Sequence, residues 1–384
     1  MKIICNPDQC TGCGLCAARC PKQCISMKFG KMGHLYPDID QSLCIDCGLC
    51  QRGCPSLHDI KSSYPQKAYA AWAKNNDEYR TSTSGGAAAV LSRYILSKGG
   101  VVYGCAVLPH AIIEHVRVDK EKDLALLKGS KYVQSNILKC IPLLKKDVKD
   151  GRPVLFIGTP CQVAAIKQMY KVVPENLYLV DLICHGTPSA EYLRYYLKNR
   201  LHLELNRITK ILFRLPDAFA IKVFAKDSVL YRGKNLWTNR YKDEYYNLFI
   251  DGYTYRSSCY TCHYAKPERI SDITIGDFWG LGAKEDADYI PEHKDGISCV
   301  LPITDKGQEL INQVSGQLNI YERSVEEAVK GNDQLRSPKV KDFKIRIFRS
   351  LGIHHNMFLV YKLLNFRRID LNRQRIKKII KKCI

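Results

Sequence analysis

A chain of 384 residues with 59 basic and 38 acidic side chains is long enough for a small module plus one or two larger domains, and its net charge of +21 creates a field that attracts acidic partners. Apolar and charged fractions of 46% and 25% exclude a disordered or fibrous chain, and no run of about twenty apolar residues is present to span a bilayer. The opening MKIICNPDQC lacks an apolar signal region and a small-residue cleavage site, so the expected location is cytoplasmic, where a dense set of cysteines binds metal rather than forming disulfides.

Ten of the eighteen cysteines precede Pro55. CTGCGLCAARCP places Cys10, Cys13, Cys16 and Cys20 in a C-x2-C-x2-C-x3-C-P run, and CIDCGLCQRGCP repeats it with Cys44, Cys47, Cys50 and Cys54. Each x2 spacing lets a tight loop turn its thiolates onto neighbouring irons of one cube, with Gly12, Gly14 and Gly48 permitting close backbone approach. The segment resembles the bacterial-type two-cluster ferredoxins, in which the fourth cysteine of each run ligates the other cluster. That resemblance implies two [4Fe–4S] clusters, one on Cys10, Cys13, Cys16 and Cys54 and the other on Cys44, Cys47, Cys50 and Cys20. It also implies an α+β ferredoxin-like module over residues 1–60, with MKFGKMGHLYPDI as a β-hairpin between the motifs. Cys5 and Cys24 fall outside the spacing and read as small buried fillers.

KSSYPQKA reads as a linker over residues 61–68, after which AYAAWAKN opens a second domain as a strand. Ser84, Gly85 and Gly86 then precede an Ala-rich helix whose free N–H groups and dipole face whatever lies at its start. GSKYVQS, carrying Ser130 and Lys131, is a second Gly/Ser loop. Two strand-loop-helix units follow. In VLFIGTPCQVAAIK, Thr159 is the N-cap, Pro160 the first helical residue and Gln162 completes a capping box, which puts Cys161 in a first turn where the dipole favours thiolate. In LYLVDLICHGTPSAEYL the strand ends near Cys184. Consecutive βα units imply parallel strands, so Cys161 and Cys184 are expected at the carboxyl edge of one sheet. RSSCYTCHYA adds Cys259 and Cys262 as a C-x2-C pair. Two thiols on a sheet edge and such a pair make one four-ligand set, for an iron–sulfur cluster or for zinc.

GTPCQ, DLICHG, RSSCYTC and SDITIGDFWG, in this order, look like the coenzyme F420 hydrogenase/dehydrogenase beta-subunit family, over about residues 68–302. The resemblance implies an α/β flavin-binding domain with parallel strands, split here as residues 69–150 and 151–303. It further implies a third [4Fe–4S] cluster on Cys161, Cys184, Cys259 and Cys262, and FAD held by Ser84, Gly85, Gly86, Ser130 and Lys131. Asp277 and Trp279 either face the flavin or close the sheet, and Trp279 beside a glycine reads as core packing. Cys105, Cys140, Cys299 and Cys383 have no partner spacing, and His354 and His355 read as surface residues.

Residues 304–384 are expected as a basic helical tail. Its end, NFRRIDLNRQRIKKIIKKCI, sets Ile369, Ile376, Ile379 and Ile380 at helical spacing among Arg and Lys, a pattern that can lie on an anionic membrane surface, dock on an acidic protein or pack on its own domain. The function expected from these features is an oxidoreductase passing electrons from an acidic donor such as ferredoxin, through the clusters, to FAD and an organic substrate. The alternative is a non-catalytic electron-transfer subunit of a larger redox complex. A nucleic-acid-binding scaffold would account for the charge and leave the duplicated cysteine runs unexplained.

Overall fold

The computed structural model describes residues 3–215, 218–236, 238, 243–282, 290 and 296–366. The basic helix expected at the C-terminus, and Cys383 with it, lies outside the described residues. In chain order the strands are β1 (Ile25–Phe29), β2 (Leu35–Ile39), β3 (Ala68–Ala73), β4 (Val101–Leu108), β5 (Ile112–Val118), β6 (Val154–Gly158), β7 (Leu177–Leu182), β8 (Lys210–Leu212), β9 (Lys222–Ala225), β10 (Ser228–Arg232), β11 (Ile273–Asp277), β12 (Ser298–Pro302) and β13 (Leu318–Arg323).

β1 and β2 form an antiparallel hairpin in the register Ile25↔Ile39 to Phe29↔Leu35. Two one-turn helices flank it, Leu15–Arg19 and Leu49–Arg52, each entered from a glycine in the left-handed region, Gly14 (φ 76°) and Gly48 (φ 68°). A side chain at either glycine would strain the turn that aims the cysteines. The apolar core here is small: Ile4, Cys24, Ile25 and Cys54 are buried, and much of the remaining contact is cysteine.

Eight strands form one sheet in the order β13-β3-β12-β11-β7-β6-β4-β5. The parallel sheet expected from the βα units is present only in its middle, where β11, β7, β6 and β4 are parallel neighbours. β5 runs antiparallel to β4, because the turn Pro109–Ala111 between them is too short for a crossover. β12, β3 and β13 complete the other side in antiparallel register. The sheet thus runs through both parts, 69–150 and 151–303, of the one domain expected, whereas residues 304–384 are not purely helical: Leu318–Arg323 pairs with Ala73–Ala68 along six residues. LNIYER alternates weakly and is only partly buried, so it carries no apolar run to announce a strand.

The small sheet β10-β9-β8 stands apart from the large one. Helices Phe343–Leu351 and Met357–Leu364 close over Tyr253, with Phe348 and Tyr361 edge-on to its ring at 4.9 and 5.2 Å. The same segment reaches the hairpin, Ile353 N donating to Lys31 O (3.2 Å). The expected linker is tied down too, since Ser63 and Arg269 exchange both backbone hydrogen bonds at 2.9 Å. Among the described residues no helix is long and apolar enough to cross a membrane.

Candidate redox centres and cofactor cavity

The eight cysteines of the two runs gather into two sets. Cys13 and Cys16 lie in the electrostatic field of Cys10 and Cys54, and Cys50 in that of Cys44 and Cys47. Cys20, Cys44, Cys47 and Cys50 line a cavity of about 190 Å³. The fourth cysteine of each run thus faces the other run. Cys24 is a buried filler of the small core, as expected, whereas Cys5 is only half-buried, and both lie against the sets. Cys5 hydrogen-bonds to Cys10 and Cys54, whose thiols that contact lowers to about 6 and about 7, and Cys24 Sγ lies 3.4 Å from Cys20 Sγ. The spacing rule reads ligands and is blind to cysteines that arrive from the chain just outside each run.

The second group is assembled by the large sheet. β6 leads into helix Pro160–Lys167, whose capping residue Thr159 donates its N–H to Gln162 Oε1 at 3.0 Å, and Cys161 sits in the first turn. β7 runs beside β6 in the register Gly158↔Asp181 and delivers Cys184 two residues beyond Leu182. Cys259 and Cys262 come from the turn Ser257–Thr261 and the residue after it. A buried ion pair fixes that loop to the sheet: Arg269 Nη2 donates to Asp181 Oδ2 at 2.8 Å, Nη1 to Tyr264 O at 2.5 Å, and Thr274 Oγ1 to Asp181 Oδ1 at 2.5 Å. Both partners are essentially inaccessible, at 1% and 0% exposure.

Cys184 lies in the field of Cys259, Cys161 and Cys262 together. Burial, then mutual repulsion, pushes Cys161 up to about 12, Cys262 to about 11 and Cys184 well above the usual thiol range. At Cys161 burial outweighs the helix dipole and the Thr159 hydroxyl 3.2 Å away, so the dipole alone does not make this thiol a thiolate. Four half-buried thiols that repel one another as anions become ligands only when a cationic centre supplies the compensating charge, and the donor set suits an iron–sulfur cube. No three or more His, Cys, Asp or Glu among the described residues converge tightly enough to hold a single metal ion, in this set or in the first two.

Beside Cys184 opens a cavity of about 600 Å³, within the size range of cofactor sites. Ser84, Gly86, Ser130 and Lys131 line it; Gly85 does not. A Cβ at Gly85 would lie 2.0 Å from Ala71 O, so that glycine serves close packing on β3 and β12. Gly86 (φ 85°) opens helix Ala87–Ser97 without a side-chain cap, leaving the first turn of N–H groups at the cavity wall. Thr83 Oγ1 and Ser130 Oγ meet at 3.1 Å, joining the two loops. Lys131 Nζ donates to Leu127 O (2.7 Å) and Lys128 O (2.8 Å), and burial lowers its pKa to about 8. This lysine therefore shapes its loop as much as it presents charge.

The cavity wall also includes His185, Tyr132, Phe219, Asp277 and Trp279. Trp279 is 41% exposed rather than packed in the core, because its carbonyl, not its ring, is pressed against Gly331. Arg214 donates to Asp277 Oδ2 at 2.7 Å and lies 4.4 Å over the Phe219 ring. Phe219 and Arg214 follow no motif in the sequence; only the small sheet brings them to the site. His354 and His355 are exposed and lie away from it.

Residues 9–57 match the family described as 4Fe-4S dicluster domain, and residues 151–328 match the family described as the C terminus of the coenzyme F420 hydrogenase/dehydrogenase beta subunit. No curated protein matches the chain. Among solved structures, a chain of the xenon-derivatised F420-reducing [NiFe] hydrogenase complex from Methanosarcina barkeri is 17% identical, covering 71% of this chain and 90% of that one, with a TM-score of 0.46. At that score it adds nothing to the fold or site described above. The duplicated cysteine runs and the sheet-edge motifs together make this an iron–sulfur redox protein that is similar, over residues 151–328, to the C terminus of the coenzyme F420 hydrogenase/dehydrogenase beta subunit.

Proposed function

We propose that the chain is an iron–sulfur flavoprotein oxidoreductase that takes electrons from an acidic, ferredoxin-like donor and delivers them through three [4Fe–4S] clusters to FAD and an organic substrate. Bound clusters would carry single electrons and bound flavin would collect two. One observation carries the reading: Cys184 belongs at once to the four-cysteine group and to the wall of the 600 Å³ cavity.

The protein's own residues supply position. Cys20, Cys44, Cys47 and Cys50 surround a cavity edged by the exposed Ile3 and Ile45, which suits electron uptake from outside. Tyr264 lies in the field of Cys13 and Cys54 on one side and Cys161 and Cys262 on the other, so the first set is the inner neighbour of the sheet-edge group. The uncapped helix start and the Ser130 and Lys131 loop would hold a dinucleotide's pyrophosphate, and His185, Asp277 and Trp279 leave an open mouth for substrate. The charge of +21 would speed encounter with an acidic donor.

The test is the rate of flavin reduction by a chemically reduced ferredoxin, followed by absorbance. The wild type is expected to reduce its flavin rapidly and more slowly as salt rises, while Cys184→Ser keeps the flavin and loses the fast phase. Absence of flavin, or equal rates in the two proteins, contradicts the reading. A subunit role, with the final acceptor bound by another polypeptide, is favoured by a separate observation: Phe343, Ile347 and Leu363 on the C-terminal helices are exposed.

A further inference from the structure

Arg256 is 1% exposed, and among the described residues no carboxylate pairs with it. Its guanidinium is instead held by neutral groups and by sulfur. Nε donates to Cys10 O at 2.5 Å, Nη2 to Leu35 O at 2.7 Å and to Cys10 Sγ at 3.5 Å, and Nη1 to Gln134 Oε1 at 3.3 Å. The cation also lies 4.4 Å over the Tyr36 ring. Gly12 accommodates it, since a Cβ there would fall 2.4 Å from Nη1.

The backbone of the same residue belongs to the other centre. Arg256 N donates to Thr187 O (3.1 Å), and Arg256 O accepts from Cys259 N (3.0 Å), which places the residue at the head of the turn that bears Cys259 and Cys262. A buried cation without an anion is costly, so this one needs a countercharge that the described side chains do not provide. An iron–sulfur cube with four thiolate ligands is anionic in both of its working oxidation states, and becomes more so by one charge on accepting one electron.

We propose that Arg256 is the countercharge of the inner cluster, the one held through Cys10, and that it raises the reduction potential of that cluster above that of the outer one. Hydrogen bonds and charge at the sulfurs are what set such potentials. At the outer set of Cys20, Cys44, Cys47 and Cys50 the cation is Arg52, which donates to Cys47 O at 2.7 Å and is exposed, so water screens it where Arg256 is buried, and an electron arriving there moves inward. That inward route rests on the proposed function; the effect on the Cys10 cluster does not.

The experiment is a redox titration of the anaerobically prepared full chain, with the clusters followed by electron paramagnetic resonance and iron counted in each sample. Arg256→Met should make one cluster at least tenfold harder to reduce, about 59 mV for a one-electron couple. Arg256→Lys, which keeps the charge and loses the fork, should shift it less. Gln134→Leu leaves the guanidinium in place with one support fewer, and should move the same cluster by about twofold even where the Met variant fails to hold iron. Arg19→Met removes another cation and another contact between the regions, Nη1 to Gln168 O, with no hydrogen bond to a thiol, and should move that cluster less than Arg256→Met does. Unchanged midpoints in iron-replete Arg256→Met, no shift in Gln134→Leu, or an equal shift in Arg19→Met would overturn the assignment. About eight irons in the wild type would remove the third cluster and the inward route, yet the shift on the Cys10 cluster would still be expected.

Discussion

Two ways of building a cysteine site stand side by side in this molecule. Residues 9–57 gather eight thiols within a short, duplicated stretch around a core of four buried residues, whereas Cys161, Cys184, Cys259 and Cys262 are drawn from about a hundred residues of chain by an eight-strand sheet. The first has little core of its own beyond Leu15 and Met32, which are buried in the cores of the larger domain; the second is held by a core and a buried ion pair that involve none of its four thiols. Local spacing buries thiols around their own cluster, while a sheet edge presents thiols that something else already positions.

The largest effect should come from stripping iron with an oxidant and chelator. Hydrogen exchange is expected to collapse to that of an unfolded chain over residues 9–57 and to stay slow in the strands β3 to β7. Protection retained over residues 9–57 would break the comparison, since the small core would then suffice.

A second intervention attacks the sheet-edge group through its support. Arg269→Met leaves Asp181 buried without its cation, and should cost about 3–5 kcal/mol in a denaturant titration of the large domain. The turn carrying Cys259 and Cys262 should loosen with it, while the two cysteine runs keep their iron. A loss below about 1 kcal/mol would mean that the loop is held by its thiols and not by the ion pair.

A smaller, pH-dependent effect sharpens the claim that the sheet is preformed. His115 is buried, accepts from Ser135 Oγ at Nδ1 and donates from Nε2 to Ile157 O, both at 2.9 Å, and burial lowers its pKa from 6.5 to about 4. The folded protein binds fewer protons here than the unfolded chain between those values, so this stabilisation is complete above pH 6.5 and is lost as the pH falls towards 4. The slope is on the order of 1.4 kcal/mol per pH unit, and His115→Gln should flatten it. An unchanged slope in that variant would assign acid sensitivity to other groups.

The same contrast explains what was legible in the sequence. Repeated spacing wrote out the cysteine runs, and the capping pattern of Thr159, Pro160 and Gln162 located the helix that carries Cys161. Periodicity could not show that β5, β12 and β13 run against the parallel centre while β3 runs with it between two reversed neighbours, because strand direction is decided by connection length and by the neighbour a strand finds in space. Leu318–Arg323 was hidden for the same reason, as its pairing with β3 is set about two hundred and fifty residues away in sequence. At the cavity, Ser84, Gly86, Ser130 and Lys131 follow loop chemistry, whereas Gly85 turns out to serve packing and Trp279 to stand open to solvent. Arg214 and Phe219 reach the mouth only because the small sheet folds over it.

The central claim is that a third cluster on the sheet edge meets the flavin cavity at Cys184. Iron, sulfide and flavin counted in anaerobically purified wild type and Cys184→Ala test it most directly. The account predicts about twelve irons and one FAD per chain in the wild type, and about eight irons with the flavin retained in the variant. About eight irons in both proteins, or a wild type without flavin, would contradict it.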